Sequence, residues 1–109
     1  MTTATPSRTS LDTTTAELVA YRLAALGEPT RLRLVGELRA RESATVQELT
    51  EAIGGSLPNV SKHLQILHQA GIVARRKQGT FVRYRIASGT VSALVGYALR
   101  IFGPRQNAG

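Results

Sequence analysis

The sequence predicts a mainly α-helical domain that carries one small β-hairpin. Three observations predict it. Two Thr-x-x-Glu segments, Thr14 to Glu17 and Thr45 to Glu48, each lead into apolar residues at helical spacing, which is how a capped helix begins. A Gly54-Gly55 pair separates two short amphipathic stretches, and two alternating runs, 72–77 and 81–86, flank Gln78-Gly79-Thr80. The 109 residues suit one domain and are too few for two. Their 42% hydrophobic content, with only 5% aromatic, implies an aliphatic core. A domain this small leaves apolar surface uncovered, which favours a second subunit.

Residues 1–13, rich in Thr and Ser, are expected to form a flexible arm. The first helix starts from Thr14, carries Leu18, Val19, Tyr21, Leu23 and Leu26, and ends near Gly27. Pro29 suits the first turn of a second helix, where its missing N–H would have no partner anyway. Leu32, Val35 and Leu38, with Leu34 beside them, are its predicted apolar side. Thr45 opens a third, short helix with Val46, Leu49 and Ile53 inward, and Gly54-Gly55 permits a sharp turn after it. Ser56 caps the fourth helix, Pro58 falls in its first turn, and Leu57, Val60, Leu64 and Leu67 form one stripe before Gly71 ends it. In the hairpin, alternation sets Val82, Tyr84 and Ile86 on one face and Phe81, Arg83 and Arg85 on the other.

The last helix runs from about Thr90 to Phe102 and is apolar nearly all the way round, with Arg100 its only charge. A small domain cannot cover such a helix alone, so its expected fate is burial against the same helix of a second copy. The first helix is expected to help, and the predicted dimer face uses Leu18, Val91, Leu94, Val95, Ala98, Leu99 and Phe102. Residues 14–103 are then the domain, and 104–109 a flexible tail.

Composition narrows the function. The absence of cysteine excludes disulfides, thiolate metal sites and cysteine nucleophiles together. No apolar run approaches the roughly 20 residues that span a bilayer, and the N-terminus lacks an apolar leader, so a cytoplasmic protein without membrane partners is expected. The charge is strongly one-sided. Residues 1–51 carry six basic side chains and all seven acidic ones, whereas residues 52–109 carry eight basic side chains and no Asp or Glu. A cationic half of this kind calls for a polyanion, with nucleic acid the first candidate.

Helix, glycine turn, helix and basic hairpin is the arrangement in which a second helix enters the DNA major groove. Its inner face must pack on the preceding helix, and its outer face must offer donors and acceptors without a carboxylate. Ser56, Asn59, Ser61, Lys62, His63 and Gln65 meet the second demand. Asn59 and Gln65 suit bidentate contacts to adenine. Arg75, Arg76, Lys77, Gln78 and Arg83, with Arg85, make the hairpin a basic wing able to lie along phosphates. A bland reading, of an edge strand protected by charge, accounts for one or two of these arginines but not all.

Residues 24–34, through Leu26-Gly27-Glu28-Pro29-Thr30-Arg31-Leu32-Arg33-Leu34, resemble the opening motif of the ArsR/SmtB family of bacterial transcriptional regulators. Ser56-Leu57-Pro58-Asn59-Val60-Ser61-Lys62-His63-Leu64, with Ala70-Gly71-Ile72-Val73, is similar to that family's recognition-helix signature, and Gln78-Gly79 with Tyr84-Arg85-Ile86 to its wing. The resemblance spans about residues 16–103. It implies a winged helix-turn-helix homodimer on double-stranded operator DNA, usually a repressor that lets go when an effector binds. It also implies where metals sit in many members: a Cys-x-Cys pair in the helix before the recognition helix, or Asp and His on the dimer helix. Here the first places hold Thr45 and Gln47, with Thr50 at a further one, and residues 88–103 contain no Asp, Glu, His or Cys. His63 and His68 are five residues apart, so they diverge by roughly 140° on one helix and cannot share an ion within a subunit. No metal or cofactor is therefore expected. A site of Asp12, Glu17 and a histidine across the dimer is the remaining metal alternative. A small-molecule effector, a separate sensor protein or no effector at all stays open, as do a low-specificity architectural role and a heterologous protein partner for the last helix. An enzyme is not expected, since no glycine phosphate loop, serine-nucleophile motif or histidine–carboxylate constellation is present.

Overall fold

A computed structural model describes residues 10–105, so most of the expected arm and the last four residues lie outside the described part. The first helix, α1 (Thr13–Leu26), begins ahead of the expected Thr14 box. Its cap is Asp12, whose carboxylate accepts the Thr15 N–H at 2.7 Å, and Thr14 is already helical and cannot cap. A full negative charge at the helix N-terminus is the better partner for its exposed N–H groups. Glu28 plays the same part for α2 (Pro29–Ala40), accepting the Arg31 N–H at 2.8 Å. The buried side of α2 is Leu34, Val35 and Leu38. Leu32 is exposed, contrary to expectation, because at 100° per residue it points well away from the direction those three share.

A two-residue strand, β1 (Ala44–Thr45), precedes α3 (Val46–Ile53) and escapes sequence reading because two residues show no alternation. The expected capping box of α3 is complete: Thr45 Oγ1 accepts the Glu48 N–H at 3.1 Å, and Glu48 Oε1 accepts the Thr45 N–H at 2.9 Å. Gly54 and Gly55 then take φ of 83° and 104°, conformations that a side chain would strain, and turn the chain into α4 (Leu57–Gln69). Ser56 caps α4 by accepting the Asn59 N–H. Val60, Leu64 and Leu67 are fully buried, each contributing roughly 1.5–3 kcal/mol relative to an exposed position. Leu57 has the right angle for that stripe but is 48% exposed, since the first turn of α4 projects past its covering neighbours.

The hairpin of β2 (Val73–Gln78) and β3 (Phe81–Ile86) joins β1 in an antiparallel sheet of order β1-β3-β2, with Ala44 opposite Tyr84 and Arg76 opposite Arg83. Tyr84 and Val73 enter the core, Ile86 is half-buried, and Val82 at the strand's outer end is exposed. Leu34, Val35, Leu49, Val60, Leu64, Leu67 and Val73 form the fully buried centre, aliphatic as the composition implies. The last helix, α5 (Gly89–Phe102), is capped by Ser88 and packs on β3. Arg39 ties it to α2: its Nε donates to Ser92 Oγ at 3.2 Å, and its guanidinium crosses Gly96, where a Cβ would come within 2.8 Å of Nη2. Val95 is the one buried residue of α5, so among the expected dimer-face residues it is taken up by its own protomer's core.

Candidate nucleic-acid interface

The rotation of α4 is set by Val60, Leu64 and Leu67, which α2, α3 and β2 cover. That rotation leaves Asn59, Lys62 and Gln65 exposed on the far side at three-residue intervals, and exposed Gln69 continues the row. Ser56 is exposed too, with its hydroxyl engaged as the cap. Ser61 is half-buried at the flank. His63 does not join the outward row: its side chain is 16% exposed, with Nδ1 at 3.1 Å from Arg31 Nη1 and 3.8 Å from Glu28 Oε1. The sequence groups six polar residues on one face, and the structure turns one of them inward, because position 63 flanks the apolar stripe.

On the wing, Arg75, Arg76, Lys77 and Gln78 are all exposed. Pairing with β3 sets Arg75 opposite Tyr84 and Lys77 opposite Val82, on the face the sheet turns towards the helices, and puts Arg76 on the other face beside Arg83. Arg83 is engaged within the protomer. Its Nε donates to Ser43 Oγ at 2.9 Å, and its Nη2 reaches the Ser43 carbonyl at 3.2 Å and Glu48 Oε1 at 3.4 Å. It thereby braces the wing against the start of α3. Glu48 is held below the ordinary carboxylate range, chiefly by the Thr45 N–H it accepts, with Arg83 adding to the effect. Glu28 is lowered likewise, first by the Arg31 N–H and then by nearby positive charge, that of Arg31 and that of His63 when its ring is protonated. Glu28 and Glu48 are thus committed to the N-terminal ends of α2 and α3, and no Asp or Glu from residue 52 onward offsets the cations of the exposed face.

Arg31 is the residue beside the candidate site that sequence reading passes over, as one charge among several on α2. Its Nε donates to the Ala25 carbonyl at 2.6 Å and its Nη2 to the Ala24 carbonyl at 3.5 Å, while Nη1 meets His63. The opening motif that contains Arg31 was the only sequence signal for it. Among the described residues no group of three or more His, Cys, Asp and Glu side chains gathers to hold a metal ion, and the Asp12 carboxylate is occupied as a cap. Among the same residues no helix is long and apolar enough to cross a membrane.

Residues 26–76 match a family model described as a helix-turn-helix domain. The chain is 37% identical over 71 residues to an uncharacterized HTH-type transcriptional regulator of Methanocaldococcus jannaschii, a match covering 65% of this chain and 80% of that protein. It is 38% identical over 73 residues to the HTH-type transcriptional repressor SmtB of Mycobacterium tuberculosis, covering 67% of this chain and 53% of that one. The chain thus spans about half the length of the mycobacterial repressor. Among solved structures it is similar to the homodimeric winged helix-turn-helix DNA-binding domain of a possible ArsR-family transcriptional regulator from Mycobacterium bovis. The TM-score is 0.78 at 27% identity, over 92% of this chain and 94% of that chain.

Proposed function

The chain belongs to the ArsR/SmtB family of winged helix-turn-helix regulators, and on that premise we propose that it is a homodimeric repressor that reads a specific operator in double-stranded DNA. One observation carries the reading: the apolar stripe of α4 fixes Asn59, Lys62 and Gln65 outward together, beside a wing of exposed cations. Amide side chains read adenine edges, Lys62 reads guanine or holds phosphate, and Arg75 and Lys77 follow the backbone. A binder of backbone alone has no need of the amide row, which favours operator reading over an architectural role.

The dimer face of the proposal is α1 with α5. Fourteen-residue α1 buries Ala25 alone and leaves Leu18, Val19, Tyr21 and Leu23 exposed, while α5 exposes Leu94, Tyr97, Leu99, Ile101 and Phe102. Lone helices of this length are marginal in water, so both need cover. The similar mycobacterial domain is homodimeric. Val91 and Ala98 are half-buried at its edge, and operator reading requires this face to set two reading helices about one DNA turn apart. The chain holds no thiolate, which leaves a small-molecule effector, a separate sensor protein or no effector at all as the readings of its regulation. The domain proper is residues 14–103, cytoplasmic and without catalytic activity. Selection of bound sequences from random DNA, followed by footprinting with the winner, tests the reading. A pseudo-palindrome protected on both half-sites is expected, and recovery of random sequence alone would overturn it.

A further inference from the structure

Arg31 sits where three helices meet. Through Nε and Nη2 it holds the last carbonyls of α1, at Ala25 and Ala24, and through Nη1 it holds the Nδ1 of His63 in the middle of α4. An arginine cannot give up its proton, so Nη1 is always a donor and His63 Nδ1 must be the acceptor. The contact therefore exists only while the His63 ring is neutral and carries its proton on Nε2. We propose that Arg31 and His63 form a latch between α1 and α4, and that neutral His63 is the positioning residue that sets the pose in which α4 reads bases. The proposal rests on the operator-reading function above and adds to it the residues that tie the reading helix to a helix of the dimer face.

Protonation would change the latch in a defined way. Nδ1 becomes a donor and faces the Arg31 N–H with like charge, while Glu28 Oε1, 3.8 Å away, becomes its better partner. Glu28 remains ionised to meet it, because the Arg31 backbone N–H already holds that carboxyl low. The guanidinium then stays on α1 with its two carbonyls and loses α4. The other elements packed on α4 leave His63 to this pair. Arg22 of α1 donates to the Ala70 carbonyl at the far end of α4, and Glu48 of α3 is engaged by Thr45 and Arg83. Glu51 of α3 is exposed, as are Arg75, Arg76 and Lys77 on β2. On α4 itself Lys62 is exposed and His68 lies five residues on.

The test is the ratio of affinities for the selected operator and for random DNA, measured with the full chain at about pH 8 and about pH 6, the interval in which an imidazole changes charge. A merely electrostatic effect of the added charge would strengthen binding to both DNAs together. The latch instead lowers the ratio at the acid end by about tenfold, the discrimination of one base pair. His63→Gln keeps a neutral acceptor and should make the ratio independent of pH. Arg31→Lys keeps the charge without the fork and should give the low ratio at both pH values. A ratio that stays flat for the wild type, or falls equally in His63→Gln, overturns the latch. If no operator is selected at any pH, the function proposed above fails instead, and the latch is judged by NMR on the wild type. There the Arg31 Nε–H and the α4 amides should move with the His63 ring as it titrates, and signals that stay still while the ring titrates overturn it.

Discussion

Replacing wing cations should alter the salt dependence of DNA binding by an amount that the strand register dictates. Arg75 and Lys77 share the face the sheet turns towards the helices, whereas Arg76 pairs with Arg83 on the opposite face. A phosphate backbone running beside α4 meets the first face, so two cations per protomer count, and four in a homodimer. Each phosphate contact on B-DNA contributes about 0.9 to the slope of log affinity against log salt. Arg75→Ala with Lys77→Ala should therefore flatten the slope by about 3–4 units per dimer, and adding Arg76→Ala should change it by less than about one further unit. Between roughly 50 and 200 mM salt, that difference makes wild-type affinity fall about a hundredfold more than the variant's. Fluorescence anisotropy with labelled operator and with random DNA reads both slopes, and the flattening should be equal on the two. An unchanged slope in the double variant removes the wing from the interface. A slope that flattens as much for Arg76→Ala alone means that the register does not choose the contacts.

Asn59→Ala and Lys62→Ala should each cost about 1–3 kcal/mol against the best operator and relax preference at particular positions, and equal losses on random DNA would refute base reading. Leu94→Glu or Leu99→Glu should give a monomer in sedimentation and abolish operator binding, because a charge would be buried unpaired at the dimer face; a normal dimer mass would refute that placement. Leu64→Ala, at a fully buried position of α4, should lower stability by roughly 2–5 kcal/mol in urea unfolding at fixed protein concentration, and a smaller loss would mean the site collapses around the cavity. Asp12, Glu28 and Glu48 all have folded-state pKa values depressed below their ordinary 3.8, 4.5 and 4.5, each chiefly by a backbone N–H that the carboxylate accepts. Their contribution to stability is present above those values and is lost as pH falls through and below them. Urea midpoints should fall on acidification below about pH 4.5, and Glu48→Gln should reduce that dependence; a midpoint unmoved by acid would refute it.

Much of this architecture is legible in the sequence wherever one local rule acts alone. The Thr45 box, the Gly54-Gly55 turn, the Ser56 cap and the alternation of the hairpin each depend on neighbours within a few residues, and each is found in place. Failures occur where two rules compete or where the partner is remote in sequence. Asp12 displaces Thr14 as a cap because charge favours it. Leu32 and Leu57 look like core residues by type, yet the angle of one and the axial position of the other expose them. β1 exists only because β3 lies beside it, 38 to 40 residues away by register. The candidate site divides in the same way. The Asn59, Lys62 and Gln65 row follows from helical period, whereas the Arg31 to His63 contact and the Arg83 brace to Ser43 span 32 and 40 residues and leave no periodic trace.

The charge asymmetry of the chain acquires a physical sense once the carboxylates are located. Asp12 and Glu28 cap α1 and α2, Glu48 completes the box of α3, and Glu37 pairs with Arg41 one turn along α2 at 3.5 Å. Each such carboxylate offsets the positive end of a helix or a nearby guanidinium within its own segment, and Glu48 and Glu28 also reach Arg83 and His63. The last two helices are started differently. Ser56 and Ser88, neutral hydroxyls, cap α4 and α5. A carboxylate at position 56 would cap α4 equally well, but it would stand at the N-terminal end of the reading helix, where phosphate is expected to approach. Serine there satisfies the helix without repelling the backbone. The serine cap of α4 thus suits the proposed approach of DNA to that end of the helix, where a carboxylate would oppose it.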